Sequence, residues 1–330
     1  MLKKIRYWLE FVGLSTVARV VPLFPLAFLR WIAWAISWPV FSLDQRSRAV
    51  ALANLEAAFG ERYTGKERER IARRSLQLLG QSFLELFWAP RIRRDNCESY
   101  LRMHDEESYQ EILRLKGNRP VIGVTIHFGN FEWGSLLFAF RGIGGYVLMQ
   151  RFKNDRLTGL FQRLRESTGQ KAITQEKSMV KFFKLLKQGT SVGMLGDLTL
   201  KMSEPGVVIK TFGLSMRTTA MHGLLQQRTG MPILLFVTIP VQNGYEVHIP
   251  GLIEYSPTAT PEEIAQICWD RFEPLIRDRP ELWLWSYKHW RYRPPVDSQR
   301  YPFYANRNEF FDEEFNKKLA TAATPRPTEK

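Results

Sequence analysis

The chain has 330 residues, of which 45% are hydrophobic and 24% are charged, which excludes a wholly disordered protein and allows one large domain or two ordinary ones. Lysine and arginine number 47 and aspartate and glutamate 33, so the net charge of +14 favours an anionic partner: nucleic acid, an acidic lipid surface, an acidic carrier protein or a phosphorylated substrate. The two cysteines, Cys97 and Cys268, form no CxxC pair, which argues against a disulfide scaffold and a thiolate zinc site.

Residues 1–43 differ in composition from the rest of the chain. Their only acid is Glu10, and the run from Val20 to Leu43 carries a single charge, Arg30. A spanning helix needs about 20 mostly apolar residues, but Arg30 and three prolines weaken that interpretation. We therefore predict a membrane anchor that either spans the bilayer or lies at its interface. The alternative is an apolar helix packed on the core.

Residues 44–315 are predicted to form one α/β domain. Capping boxes at Thr64 and Thr260 begin helices that extend to about Trp88 and about Asp278. Six apolar strand segments alternate with helical ones, which predicts a mixed, largely parallel sheet flanked by helices. The polar tail, residues 316–330, is predicted to be disordered. The predicted strands are 121–126, 145–150, 191–196, 207–212, 233–239 and 245–249, and the other predicted helices lie near 44–59, 105–115, 131–141, 154–167, 176–188 and 216–229.

The segment that follows the most apolar strand is the first candidate site. It reads His-Phe-Gly-Asn-Phe-Glu and covers residues 127–132. Gly129 permits a tight turn, and Asn130 can cap the next helix. An acid in the first helical turn, here Glu132, can fix the tautomer of His127 and leave the other ring nitrogen as a general base. The alternative is a capped turn with an ordinary hydrogen bond.

Two further polar groups follow other predicted strands, at the edge where ligands of open α/β sheets bind. Arg151 and Asn154 come after the strand 145–150, and arginine suits bidentate recognition of phosphate or carboxylate. Asp197 comes after the strand 191–196, and Arg165 can reach the same edge. The alternatives are a solvated loop for Arg151, a turn or helix-cap aspartate for Asp197, and a solvent-facing Arg165.

Several common catalytic motifs do not occur in the sequence. There is no HExxH, no G-x-S-x-G, no P-loop and no G-x-G-x-x-G. A zinc protease, a serine hydrolase and a dinucleotide site are therefore disfavoured. A site of two histidines and one acid, assembled only in space, stays open.

Taken together, these residues resemble the lysophospholipid-acyltransferase superfamily, and more closely its bacterial branch that adds secondary lauroyl or myristoyl chains to lipid A. The hallmark His-x4-Glu/Asp is matched by His127 and Glu132, and an R-x2-N block by Arg151 and Asn154. Leu198 follows Asp197 where glutamine is usual. The resemblance covers roughly residues 5–295. Its further blocks are Arg48, Asn54-Leu55 and Phe59 near the amino terminus, then 181–197, 207–235 and the Trp-rich segment 282–294.

The resemblance implies a fold similar to that of glycerol-phosphate acyltransferases, with an N-terminal membrane-associated region, on the cytoplasmic face of a bacterial inner membrane. It implies transfer of a fatty acyl chain from an acyl carrier protein thioester to a hydroxyl of a lipid A precursor, without a metal or organic cofactor. His127 would deprotonate the hydroxyl and Glu132 would orient His127. Arg151 and Asn154 would bind phosphate or sugar of the acceptor, with Arg165 and Asp197 as further substrate-binding candidates.

Three other functions remain open from the sequence. An enzyme of the same fold can act on another lipid, such as a glycolipid, a phosphatidylinositol mannoside or an aminolipid. A basic nucleic-acid-binding protein would use Arg-rich segments such as 91–94 and 288–293, but no known binding motif supports it, so we expect no nucleic acid among the partners. An inactive membrane scaffold is disfavoured by the intact His127 and Glu132.

Overall fold

The computed structural model describes residues 2–294 and 300–308, and the predicted tail lies outside them. Its first quarter is helical. Asp44 caps the third helix, Gly60 ends that helix with a φ of +55°, and the capping box predicted at Thr64 begins the fourth. The four helices are α1 (Leu2–Val20), α2 (Leu26–Leu43), α3 (Gln45–Phe59) and α4 (Gly65–Trp88).

The remaining elements confirm an α/β fold with a mostly parallel sheet. The second predicted capping box, at Thr260, begins the last helix. The helices are α5 (Glu106–Lys116), α6 (Phe131–Phe140), α7 (Asp155–Glu166), α8 (Ser178–Lys187), α9 (Met221–Thr229) and α10 (Pro261–Asp278). The strands are β1 (Leu101–Met103), β2 (Ile122–Thr125), β3 (Tyr146–Met149), β4 (Lys171–Thr174), β5 (Val192–Leu195), β6 (Gly206–Thr211), β7 (Leu214–Thr219), β8 (Ile233–Val241), β9 (Gly244–Ile253), β10 (Tyr292–Arg293) and β11 (Asn306–Arg307).

The central sheet has seven strands in the order β1-β9-β8-β2-β5-β3-β4. Every neighbouring pair is parallel except β8 and β9. The central strand β2 is buried along its whole length, which explains its continuous apolar sequence. The carboxyl ends of β2, β5 and β3 therefore meet at one edge, and the candidate site residues follow these three strands.

One predicted helix begins later than the sequence pattern indicated. The segment 216–219 belongs to β7, which pairs antiparallel with β6 outside the central sheet, and the helix α9 begins only at Met221. The two strands are joined by Phe212 and Gly213, which both have positive φ, the conformation that a two-residue hairpin turn requires. The predicted start of this helix was wrong because hairpin pairing with β6 outweighed the local helical pattern.

The core lies on both faces of the sheet. On β8, Ile233 and Leu235 pack on one face, while Leu234 and Phe236 pack on the other, as alternation along a strand requires. Helices α3, α8, α9 and α10 cover the first face, and α6 and α7 cover the second. Helix α4 contributes to both, so it lies where the two halves of the core meet beside the candidate site.

Candidate active site

His127 and Asp197 lie side by side because the strands before them are paired in register. Strands β2 and β5 are parallel with Thr125 opposite Leu195, and the same register continues to His127 and Asp197, two residues beyond each strand end. The backbone N–H of His127 donates to Oδ2 of Asp197 at 2.9 Å, and its Nδ1 lies 2.8 Å from Oδ1. The carboxylate therefore holds both the backbone and the ring of His127.

Asp197 is fully buried yet remains ionised. Burial by itself would raise the pKa of this carboxyl, but the charge and hydrogen bond of His127, together with nearby His289, lower the pKa to about 2. Trp283 Nε1 also donates to Oδ2, at 2.9 Å. Because the folded-state pKa is depressed, the stabilising free energy of this pairing is present above about pH 3.8 and is lost as the pH falls through 2.

The tautomer of His127 follows from this ionised partner. A carboxylate only accepts hydrogen bonds, so Nδ1 carries the ring proton and donates it. In the neutral ring Nε2 then has a lone pair, and it makes no hydrogen bond within the described residues. The His127 side chain is only 12% exposed, and the ring of Phe131 lies 4.7 Å from it, centre to centre. His127 is thus prepared to accept a proton at Nε2.

A small cavity adjoins His127. Its volume is about 10 Å³, which is room for roughly one water molecule. A ligand larger than a water molecule does not fit in this cavity, so the side chains around it must move before such a ligand can bind. The lining residues are Ser75, Leu78, Leu79, His127, Gly129, Phe131, Leu282, Trp283 and Leu284.

The turn between β2 and α6 has the predicted form. Gly129 has a φ of +58°, and a Cβ there would lie 1.8 Å from the carbonyl oxygen of Thr238, so only glycine fits. Asn130 caps α6, since its Oδ1 accepts from the backbone N–H of Trp133 at 3.2 Å. The backbone of Leu282 accepts from Gly129 N–H at 2.8 Å. This turn is therefore held from both sides.

Glu132 has a different partner from the one expected. Both of its carboxylate oxygens accept from Arg165 on α7, at 2.9 Å from Nε and 2.5 Å from Nη2. Within residues 2–294 and 300–308, no hydrogen bond or ion pair joins Glu132 to His127. The expected contact is replaced because Asp197 already occupies Nδ1, while Glu132, in the first turn of α6, lies against α7. The bidentate pair is mostly buried, with Arg165 19% and Glu132 15% exposed.

A buried network fixes the same turn from α4. The Glu85 side chain is fully buried, and its Oε2 accepts from the amide of Asn130 and from the hydroxyl of Tyr245, both at 2.5 Å. Its Oε1 accepts from Arg30 Nε on α2 at 2.8 Å and from Gln81 at 3.1 Å. Glu85 is not recognisable as a site residue from the sequence, since nothing near it in the chain marks it as different from other helical acids.

Arg151 and Asn154, predicted to act together, have different partners in the structure. The Arg151 side chain is 51% exposed and pairs with Asp155 at 2.9 Å. Its hydrogen bond and charge contact with Asp155 raise its pKa. Asn154 is buried, and its amide donates to the carbonyl oxygen of Tyr7 at 2.8 Å and to Glu10 at 3.3 Å. Asn154 therefore fastens α1 to the domain, and its amide hydrogens are not free for substrate.

The Trp-rich carboxyl-terminal segment forms one wall of the site. Besides Trp283, whose indole binds Asp197, the backbone N–H of Leu284 donates to the His127 carbonyl oxygen at 3.1 Å. His289 stacks on Trp283 with ring centres 3.9 Å apart, and burial lowers its pKa to about 4, so it is neutral near pH 7. Asn54 donates to two carbonyl oxygens of this segment. Both blocks are visible in the sequence as part of the family resemblance, but neither was predicted to have a role in the site.

One group of potential metal ligands exists among the described residues. His104, Glu246 and His248 bring one ligand atom each within 4.8 Å of the others. The two imidazole rings are stacked, 3.8 Å apart and 16° from parallel, so their in-plane lone pairs do not converge on one ion. Glu246 is also paired with Arg102 at 2.7 Å. The group is better described as a charged surface cluster at the β1 edge of the sheet.

Comparison with known proteins gives one finding. The model of the bacterial lipid A biosynthesis acyltransferase family matches residues 1–292. A comparison with curated proteins finds no match.

Proposed function

This chain belongs to the bacterial lipid A biosynthesis acyltransferase family, and from that premise we propose that it transfers a fatty acyl chain from an acyl carrier protein thioester to a hydroxyl of a lipid A precursor. The observation that supports this most is the pairing of His127 Nδ1 with the buried, ionised Asp197. That pairing leaves Nε2 as a base beside a small cavity whose lining includes Leu78, Leu79 and Leu284.

The proposed reaction uses only side chains of this protein and the two substrates. Nε2 of His127 takes the proton of the acceptor hydroxyl as its oxygen attacks the thioester carbonyl carbon. The negative charge on the carbonyl oxygen is stabilised by N–H donors at the amino terminus of α6. The carbon–sulfur bond then breaks, and the imidazolium returns the proton to the leaving thiolate. Asp197 stabilises the imidazolium and holds the ring in place.

The Glu132–Arg165 pair has a separate role in this proposal. Arg165 donates hydrogen bonds from Nε and Nη2 to the Glu132 carboxylate. Its Nη1 makes no hydrogen bond within the described residues. We assign Arg165 as the cation that contacts an anionic or carbonyl group of the substrates, and Glu132 as the residue that holds it. In this arrangement Glu132 acts on the reaction through Arg165.

Conservative substitutions at Glu132 and at Arg165 test the assignment. Glu132→Gln and Arg165→Lys should each lower kcat/KM by about 10–10³, because the bidentate contact that places the guanidinium is lost. In Glu132→Gln combined with Asp197→Asn, the two losses should multiply, since the residues serve different groups. Acyl-transfer kinetics of the single and double variants provide the measurement. If the double variant is no slower than the worse single variant, Glu132 belongs to the His127 unit instead.

Charge and location support the substrates named. An acyl carrier protein and lipid A phosphates are anionic, and the net charge of +14 attracts both. Helix α2 is, by length and composition, able to enter a membrane, which suits an enzyme of the inner membrane with its domain on the cytoplasmic face. Mass spectrometry of lipid A from a deletion strain tests the acceptor. An unchanged acyl number would exclude lipid A.

Arg151 stays a predicted acceptor ligand, with a specific test. Among the residues that the structure describes, its half-exposed guanidinium pairs only with surface acids, so a substrate phosphate can replace them. Arg151→Ala should raise KM for the lipid acceptor by about tenfold, and Arg151→Lys by less, because only arginine binds phosphate by two bonds. The control is Arg271→Ala, on the exposed side of α10. Equal KM values for Arg151→Ala and the control would show that Arg151 is a solvated loop residue and does not bind the acceptor.

A further inference from the structure

Helix α2 has two faces of different character. One face is buried at intervals of four residues, at Leu29, Ala33, Ser37 and Phe41. Another face exposes three indoles, with Trp31 58%, Trp34 59% and Trp38 63% exposed. The residues are spaced by three and four, so they form one stripe along the helix. An exposed aromatic stripe of this size indicates a surface that binds something.

The buried face is fastened to the domain. Arg30 pairs with the fully buried Glu85 of α4 at 2.8 Å. Just before α2, the carbonyl oxygen of Phe24 accepts from Trp88 Nε1 at 3.1 Å, and that of Pro22 accepts from Arg91 at 2.7 Å. These contacts join α2 to α4 and to the turn after it. Helix α2 therefore cannot leave the domain without exposing a buried charge.

This attachment conflicts with a spanning orientation. A helix that spans the bilayer must be surrounded by lipid or by other apolar segments. Helix α4, on which α2 packs, exposes Arg70, Arg73 and Arg74, and charged side chains in the hydrocarbon are costly. If α2 crossed the membrane, these arginines and part of the domain would enter the hydrocarbon with it.

The tryptophan positions agree with a helix that lies in the plane of the membrane. In a spanning helix, tryptophans collect at the two ends, at the level of the headgroups. Here they occupy successive turns within α2, as in a helix that lies along an interface. Helix α1 carries the exposed apolar residues Trp8 and Leu9 together with the exposed basic residues Lys3, Lys4 and Arg6. This combination matches an anionic lipid surface.

We propose that α2 lies in the plane of an anionic membrane, with Trp31, Trp34 and Trp38 in the headgroup layer and its other face on α4. The protein is then bound to one leaflet and does not cross the bilayer. The site residues belong to the domain that carries α2, so the orientation also fixes the site relative to the lipid surface. The proposal concerns how the protein contacts the membrane. It is valid whichever lipid hydroxyl is acylated.

Labelling of two positions that flank α2 tests the orientation. The natural cysteines Cys97 and Cys268 are buried, and Leu23 and Leu43 are 75% and 81% exposed. Leu23→Cys and Leu43→Cys, each in the full chain, are treated with a membrane-impermeant maleimide in inverted and in right-side-out membrane vesicles. In-plane binding predicts that both positions react from the same side. Reaction of the two positions from opposite sides would establish a spanning helix and overturn the proposal.

Vesicle binding tests the tryptophan stripe separately. Trp31→Ser with Trp38→Ser in the full chain should weaken binding to vesicles of three parts phosphatidylethanolamine and one part phosphatidylglycerol by at least about tenfold, because apolar area is lost from the contact. The control is Leu115→Ser with Val180→Ser, at residues equally exposed elsewhere. Unchanged vesicle binding, or a change only in oligomeric state, would show that the stripe contacts protein and not lipid. Deletion of residues 1–43 is unsuitable, since it leaves Glu85 buried without Arg30.

Discussion

Replacing His127 with glutamine is expected to lower the rate of acyl transfer by about 10²–10⁴ while the fold is retained. A positioned base typically supplies a factor of that size. Glutamine fills similar space and can keep a hydrogen bond to Asp197, but it has no basic nitrogen at the position of Nε2. The measurement is kcat with an acyl carrier protein thioester and a lipid acceptor, with near-UV circular dichroism to check folding.

A matched control is available at His104, which is exposed at the sheet edge with its side chain 54% accessible. His104→Gln makes the same chemical change away from the site and should keep kcat within about twofold of the unaltered protein. A folded His127→Gln protein with the same turnover as this control would end the general-base assignment.

Asp197→Asn is expected to lower the rate of acyl transfer by a factor of about 10²–10⁴, because it changes the tautomer of His127. Three donors face the carboxylate: the His127 backbone N–H and Trp283 Nε1 both bind Oδ2, and the His127 ring binds Oδ1. An amide has one oxygen. When that oxygen accepts from the two donors that bind Oδ2, the amide N–H₂ faces the imidazole ring. Nδ1 of His127 must then accept a hydrogen bond from the amide. The ring proton then moves to Nε2, which can no longer act as a base.

Two readouts separate this effect from simple loss of stability. First, Asp197→Asn combined with His127→Gln should be little slower than the worse single variant, because the two residues act as one unit. Second, the ring-nitrogen chemical shifts of His127 should report a proton on Nδ1 in the unaltered protein and on Nε2 in Asp197→Asn. An unchanged tautomer in a folded but slow variant would show that Asp197 acts by another route.

Short-range features of this protein were predictable from the sequence alone. Both capping boxes, the cap at Asn130 and the turn at Gly129 depend on residues within a few positions of one another. The same holds for the order of strands and helices around His127, because alternation of apolar and polar residues is local information. Recognition of the family also needed only blocks of residues in order along the chain.

The partners within the site were decided by the tertiary structure. Asp197 meets His127 across 70 residues because β2 and β5 are neighbours with one register, and the sequence names neither the neighbour nor the register. Glu132 was the nearer acid along the chain, but helix α6 directs it to Arg165 on α7. Likewise, the apolar composition of α2 shows that it can meet a membrane, while its contact with α4, through Arg30 and the buried Glu85, determines which face is left for lipid. Such pairings depend on how whole elements pack, since a buried charge is stable only where the fold supplies its counterpart.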